Sequence, residues 1–226
     1  MKITYYGHSC FSVLVCGKHL LFDPFITHNA LAKNIDIATI PADYIFISHG
    51  HMDHLADAAA MAIRTGATLV SNFEITVWFT NQGIQKTHGM NHGGGWAFDF
   101  GRVKYVAAIH SSSFPDGSYA GNPGGFVVET REGNFYYAGD TALTLDMKLI
   151  GETTPLKFAA LPIGDNFTMG TEDAIKASDF IRCNHILGVH YDTFPPIKID
   201  QELARAKFQA AGKQLFLLNP GEGMEV

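Results

Sequence analysis

The chain has 226 residues, 46% of them hydrophobic and 17% charged, with a formal net charge of −6. This length can bury a core, and the hydrophobic share excludes an extended disordered chain. The acidic sign argues against a surface built to neutralise nucleic-acid phosphates.

In chain order, Lys2–Tyr6, Cys10–Cys16 and His19–Phe22 are short, rich in β-branched and aromatic residues and separated by glycine, which predicts strands. Asp43–Ser48 is a further buried strand. Leu55–Arg64, rich in Ala and Met, predicts a helix closed by Gly66. Ala67–Ser71 reads as a strand and Glu74–Gln82 as a helix stopped at Gly83. Trp96–Phe100, Val103–Ile109, Gly125–Thr130 and Asn134–Ala138 return to strands, the last two joined by a turn at Arg131-Glu132-Gly133. Then come a helix over Thr144–Ile150, a strand over Phe158–Pro162, and a helix capped by Thr171 that runs to Arg182 with Glu172 and Asp173 in its first turn. His185–Val189 is a strand, Asp200–Ala211 a helix ended by Gly212, and Gln214–Leu218 a closing strand. No repeat, low-complexity tract or linker divides the chain, so residues 1–226 read as one α/β domain. Helices over stacked sheets would give an αββα sandwich, although periodicity does not separate this from other α/β layouts.

Cys10, Cys16 and Cys183 form no pair motif and read as reduced thiols. The start Met1-Lys2-Ile3-Thr4-Tyr5-Tyr6 has no apolar signal region, and no apolar run approaches the roughly 20 residues that span a bilayer. A cytoplasmic location and no membrane partner are the expectations.

The chemistry concentrates in Ser48-His49-Gly50-His51-Met52-Asp53-His54, three imidazoles and one carboxylate directly after an apolar strand. These ligands suit Zn²⁺ and its first-row neighbours, and four are more than one open catalytic ion takes, so the segment reads as serving two ions. Three more metal-capable side chains follow predicted strands: His110 after Val103–Ile109, Asp140 after Tyr136-Tyr137-Ala138-Gly139, and His190 after Ile186-Leu187-Gly188-Val189. Taken singly, each is more often a hydrogen-bonded structural residue than a ligand. Their shared placement just past strand ends makes a site built from several strands the sharper reading.

In order and spacing, these residues resemble the metallo-β-lactamase superfamily, whose pattern is H-x-H-x-D-H, a later His, a later Asp and a final His. Leu21-Phe22-Asp23-Pro24 resembles its early strand–Asp element. Tyr6-Gly7-His8-Ser9 and the segment from Pro162 to Gly170 resemble the small metal-dependent hydrolases related to L-ascorbate-6-phosphate lactonase. The resemblance implies a four-layer αββα sandwich. It implies that His49, His51 and His110 hold one divalent ion, that Asp53, His54 and His190 hold a second, and that Asp140 bridges them. Zn²⁺ is the expected metal, with Mn²⁺, Fe²⁺ and Ni²⁺ able to occupy similar shells. The implied activity is metal-dependent hydrolysis, an activated hydroxide attacking a lactone, ester or phosphoester-type bond of a small molecule. Asp53 would relay a proton and His8 would face the site, to contact substrate or to brace its loop. Asp23 is expected to orient a ligand imidazole, and Asp165 and Asn166 to line the pocket mouth. His88 and His92 read as part of a flexible loop, and His19, His28 and His185 as structural or surface residues. Relatives often self-associate, so a homo-oligomer is compatible. Other readings stay open: a di-iron redox protein, although such members carry an acid where His51 stands; an RNA-processing phosphodiesterase, against which the net charge speaks; and a metal-holding module without catalysis.

Overall fold

The computed structural model describes residues 1–226. Its first half runs β1 (Lys2–Gly7), β2 (Cys10–Val15), β3 (Lys18–Phe22), β4 (Tyr44–Phe46), α1 (Met52–Leu55), α2 (Ala58–Thr65), β5 (Thr68–Asn72), α3 (Phe73–Asn81) and β6 (Thr87–Met90). The second half runs β7 (Gly95–Phe98), β8 (Gly101–Ala107), β9 (Gly124–Thr130), β10 (Gly133–Tyr137), α4 (Met147–Thr153), β11 (Phe158–Pro162), α5 (Thr171–Phe180), β12 (His185–Val189), α6 (Gln201–Ala210), β13 (Gln214–Phe216) and β14 (Gly223–Glu225).

The strands form two seven-stranded sheets, ordered β14-β1-β2-β3-β4-β5-β6 and β13-β12-β11-β10-β9-β8-β7. Each sheet is antiparallel on one side and parallel on the other. In the first, β1, β2 and β3 pair antiparallel, while β3 through β6 pair parallel. In the second, β7 through β10 pair antiparallel, while β10 through β13 pair parallel.

Three apolar layers hold the sandwich together. The central one joins the inner faces: Phe22 stacks between Phe11 and Phe46 on its own sheet, with centroids at 4.7 and 4.9 Å, and meets Phe135 and Tyr137 of the other sheet edge-on at 5.8 and 5.5 Å. Offset and edge-to-face geometries of this kind suit aromatic quadrupoles. On the outer face of the first sheet, Met61 of α2 and Ile75 and Phe79 of α3 cover Ile45 and Leu69. On the outer face of the second, Ala174 and Ala177 of α5 and Ala204 and Phe208 of α6 cover Ala159, Leu161 and Ile186. The result is the expected αββα order of layers. No helix is long and apolar enough to cross a membrane.

Several local expectations change. The helix expected over Leu55–Arg64 is two pieces: α1 starts earlier and carries Asp53 and His54, and the chain breaks at Asp57, whose carboxylate accepts from the Ile26 and Thr27 amides at 2.6 and 2.9 Å. Gly66 ends α2 in the left-handed conformation, as the sequence suggested. Thr171 does not cap α5; Gly170 holds that position and Thr171 is the first helical residue, without a side-chain cap bond. Residues 87–90, read as loop, form the edge strand β6, where His88 packs 5.0 Å from Trp96. The strand β14, which pairs with β1, went unread because three residues carry too little periodicity to register. All three cysteines are free, Cys10 and Cys183 buried and Cys16 half-buried.

Candidate metal centre

Strand direction brings the distant side chains to one edge. β3 and β4 run parallel, and so do β10, β11 and β12; β1 runs with β3, and β8 with β10, each through one intervening antiparallel strand. The loops after β1, β3, β4, β8, β10 and β12 therefore leave the sheets at the same edge, carrying His8, Asp23, His49–His54, His110, Asp140 and His190 respectively. Backbone geometry sharpens several exits. His8, Asp23 and His190 have φ of 55°, 39° and 56°, a left-handed conformation uncommon outside glycine and a frequent mark of functional sites. Gly139 turns the chain just before Asp140 with φ of 63°, and a Cβ there would lie 2.8 Å from Ser48 Cβ and from the Gly124 carbonyl.

Asp140 sits at the middle of the cluster. Its Oδ2 lies 3.0 Å from Nε2 of His190, 3.3 Å from Nε2 of His54, 3.6 Å from Nε2 of His110 and 3.9 Å from Nε2 of His49. Two groups flank it. His49, His51 and His110 have ligand atoms within 4.8 Å of one another, and so do His8, Asp53, His54 and His190.

Buried hydrogen bonds orient the imidazoles. The Ser48 hydroxyl donates to Asp23 Oδ2 at 2.5 Å and so accepts from His49 Nδ1 at 2.9 Å, which turns His49 Nε2 toward the cluster, 3.0 Å from His51 Nδ1. His54 Nδ1 donates to the same Asp23 oxygen at 2.7 Å, turning its Nε2 toward Asp140. Tyr137 donates to Asp23 Oδ2 at 2.5 Å and the Ser48 amide to Oδ1 at 2.7 Å. His8 bridges outward, with Nε2 3.1 Å from Asp53 Oδ2 and Nδ1 2.9 Å from the Thr193 hydroxyl.

The charges follow from burial and from these pairs. Burial pushes the His8 imidazole down to about 4. Burial likewise lowers His49, His51 and His110, with the neighbouring imidazoles adding to it. Burial would also lower His54, but the carboxylates of Asp140 and Asp23 outweigh it and hold that imidazole well above its usual value. Asp140 and Asp53 would be raised by burial; the imidazoles of His190 and His54 for Asp140, and of His54 and His8 for Asp53, hold both below the usual carboxylate range.

This donor set fits divalent cations. Asp23 and Asp140 are buried and Asp53 half-buried, and no lysine or arginine pairs with any of them; their charged partners are imidazoles alone. Buried carboxylates need compensating positive charge. Moreover, His54 Nε2, Asp140 Oδ1 and His190 Nδ1 are buried without any hydrogen-bond partner, the condition of donor atoms shaped for something other than protein.

The description "Beta-lactamase superfamily domain" matches residues 2–190. The chain belongs to the beta-lactamase superfamily. Within the superfamily it is 58% identical, over 226 residues and 100% of both chains, to a UPF0173 metal-dependent hydrolase from Flavobacterium johnsoniae, and 57% identical over 227 residues, again 100% of both, to one from Christiangramia forsetii. Among solved structures it is similar to Igni18, a novel metallo hydrolase from the hyperthermophilic archaeon Ignicoccus hospitalis, with a TM-score of 0.90 at 36% identity, covering 100% of this chain and 98% of that one. It thus falls with them in a family of metal-dependent hydrolases. The likeness to L-ascorbate-6-phosphate lactonase is a loose comparison inside the superfamily.

The superfamily fold brings together all seven residues of the expected set, and adds His8 beside Asp53. Asp23 contacts His54, as expected of a residue that orients an imidazole. Asp165 instead faces a 180 Å³ cavity lined by Ile163, Lys198, Leu203 and Lys207 against α6. His92 is stacked on Tyr105 at 4.9 Å, its Nε2 bonded to the Pro123 carbonyl at 2.9 Å, and so belongs to neither flanking group. Three contributors escaped the sequence reading: Ser48, Tyr137 and Thr193. Ser48 stood next to the motif and could have been weighed as an imidazole partner; Tyr137 and Thr193 carry no local signal, because their partners lie 114 and 185 residues away.

Proposed function

We propose that the chain, acting as one domain, is a dinuclear metal-dependent hydrolase of a small molecule, opening a lactone, ester or phosphoester-type bond. In this reading His49, His51 and His110 hold one cation, Asp53, His54 and His190 the other, and Asp140 spans both, with Zn²⁺ the first candidate. The observation that carries it is Asp140 Oδ2 set within 3.0–3.9 Å of four imidazoles contributed by the segments after three different strands, β4, β8 and β12. When bound, two such cations would supply Lewis acidity at this centre.

The protein's own groups do the rest. Asp23 and Ser48 fix the His49 and His54 rings so that their Nε2 atoms face inward. With His8 neutral and Asp53 ionised, His8 Nε2 carries its proton toward Asp53 Oδ2 and Nδ1 accepts from Thr193. Asp53, about one-third exposed at its side chain, is the group placed to take a proton at the open side of the centre.

Metal analysis and a hydrolase panel test this together. The expected result is two equivalents of metal per chain and turnover of at least one lactone, ester or phosphodiester, reduced at least about a hundredfold by His51→Ala. One equivalent of metal in the active protein, or activity that survives His51→Ala, would sink the assignment.

A further inference from the structure

The loops that ring the centre are nearly devoid of cationic side chains. The chain has sixteen Lys and Arg residues, yet none lies in residues 47–57, 108–123, 138–146 or 163–170. The loops after β3 and β12 hold one each. Lys33 is two residues before Ile35, which meets the turn at Gly221 beside β14, and Lys198 lines the cavity against α6. Asp116, Asp146 and Asp192 lie in these loops, while Asp165, like Lys198, lines the cavity against α6. Helices α5 and α6, which open from two of these loops, have Glu172, Asp173 and Glu202 in their first turns, where a bound anion would otherwise sit.

Apolar groups take the place of charge. Of twelve exposed large hydrophobic side chains, six fall in these loops: Leu31, Met52, Ile109, Tyr119, Leu145 and Phe167. Met52 stands between His51 and Asp53, and Ile109 directly precedes His110. The Ile109 amide donates to Thr141 Oγ1, and the Met169 amide to the Thr141 carbonyl, both at 3.0 Å, which ties Ile109 and the Phe167 loop to the residue after Asp140. On the opposite side, the half-buried Phe194 stands 5.5 Å from His8 and 6.3 Å from Phe25. Recognition of a phosphate, sulfate or carboxylate by side chains remote from the metals calls for Arg or Lys, and the wall offers apolar surface, hydroxyls and acids instead.

We propose that the molecule hydrolysed here carries no anionic group away from the bond that breaks, and that it lays an apolar portion against Met52, Ile109, Phe167 and Phe194. The proposal rests on the hydrolase reading and narrows its substrate class to neutral, partly apolar lactones and esters; phosphorylated sugars and RNA fall outside it.

A matched pair of esters tests it on the metal-loaded protein. 4-Nitrophenyl butanoate should be cleaved with kcat/KM at least tenfold above that of 4-nitrophenyl hemisuccinate, which differs by a remote carboxylate. Ile109→Lys should narrow that ratio at least threefold. Calorimetry with neutral methyl ketones, which cannot be hydrolysed, reads the rim without turnover: affinity should rise roughly two- to fourfold per added methylene. Hemisuccinate cleaved as fast as butanoate, or ketone affinity independent of chain length, would overturn the inference and leave the hydrolase reading intact. Absence of cleavage of either ester, with chain-length-dependent ketone binding, would count against ester hydrolysis and still support the neutral apolar wall.

Discussion

Asp23 Oδ2 accepts a hydrogen bond from His54 Nδ1 at 2.7 Å, both groups fully buried. The same oxygen accepts from Ser48 and Tyr137, so one carboxylate fixes an imidazole in each direction from a single point. Asp23→Asn would keep the volume but replace one acceptor oxygen with an amide that donates. Removing such a partner typically costs 10–100-fold in metal affinity. The expected outcome is a loss of that order in a chelator-competition titration, with activity recovered at saturating metal; unchanged affinity would show that the ring orientation does not depend on Asp23.

Thr193 should matter chiefly through His8, the nearer of its hydroxyl's two partners, the other being the Tyr191 carbonyl at 3.3 Å. Its hydroxyl is 2.9 Å from His8 Nδ1 and holds the ring with Nε2 toward Asp53. Thr193→Val is expected to lower kcat about tenfold at unchanged metal content, and Thr193→Ser to restore most of it, because the hydroxyl and not the methyl sets the tautomer. Equal losses in both variants would mean that packing of the loop, and not the hydrogen bond, explains the effect.

The central core gives a stability prediction. Phe22 is fully buried among Phe11, Phe46, Phe135 and Tyr137, drawn from both sheets. Phe22→Ala should destabilise by about 3–5 kcal/mol, through lost transfer energy and the cavity between the sheets. Urea unfolding of the metal-free proteins, with the slope unchanged and the midpoint lowered, measures it.

Acid should unfold the metal-free protein earlier than a chain of ordinary carboxylates. His8, His49, His51 and His110 have folded pKa values below the unfolded 6.5, so the unfolded state binds more protons as pH falls through that value. Asp53 and Asp140 are also depressed; their contribution is present above the unfolded carboxylate value near 4 and is lost below it. His54 runs the other way, its contribution complete below 6.5 and lost as pH rises through its raised folded value. Four imidazoles outnumber one, so the urea midpoint should drop from pH 6.5 to 4, and saturating metal should flatten that drop. A midpoint that rises on acidification would contradict the assigned charges.

By itself, the sequence marked most of the strands and helices and the candidate ligands, while the order of the layers came from the family resemblance those ligands carry, because periodicity does not separate one α/β layout from another. Glycine punctuation and β-branched runs marked most strands, and the cluster from His49 to His54 needed no folding argument, because its members are neighbours along the chain. His110, Asp140 and His190 were legible for a related reason: each follows a strand, and parallel strands release their loops on one edge. Only the tertiary structure decided that Asp140 sits among four imidazoles, that Tyr137 and Ser48 share Asp23 with His54, and that Thr193 holds His8. Those are contacts between residues up to 185 positions apart, fixed by sheet order and register, which local propensity does not encode. The same is true of the β6 edge and of the bare, apolar surroundings of the centre. A missing charge leaves no motif in a sequence, and it becomes visible only when the loops that lack it are gathered around one point.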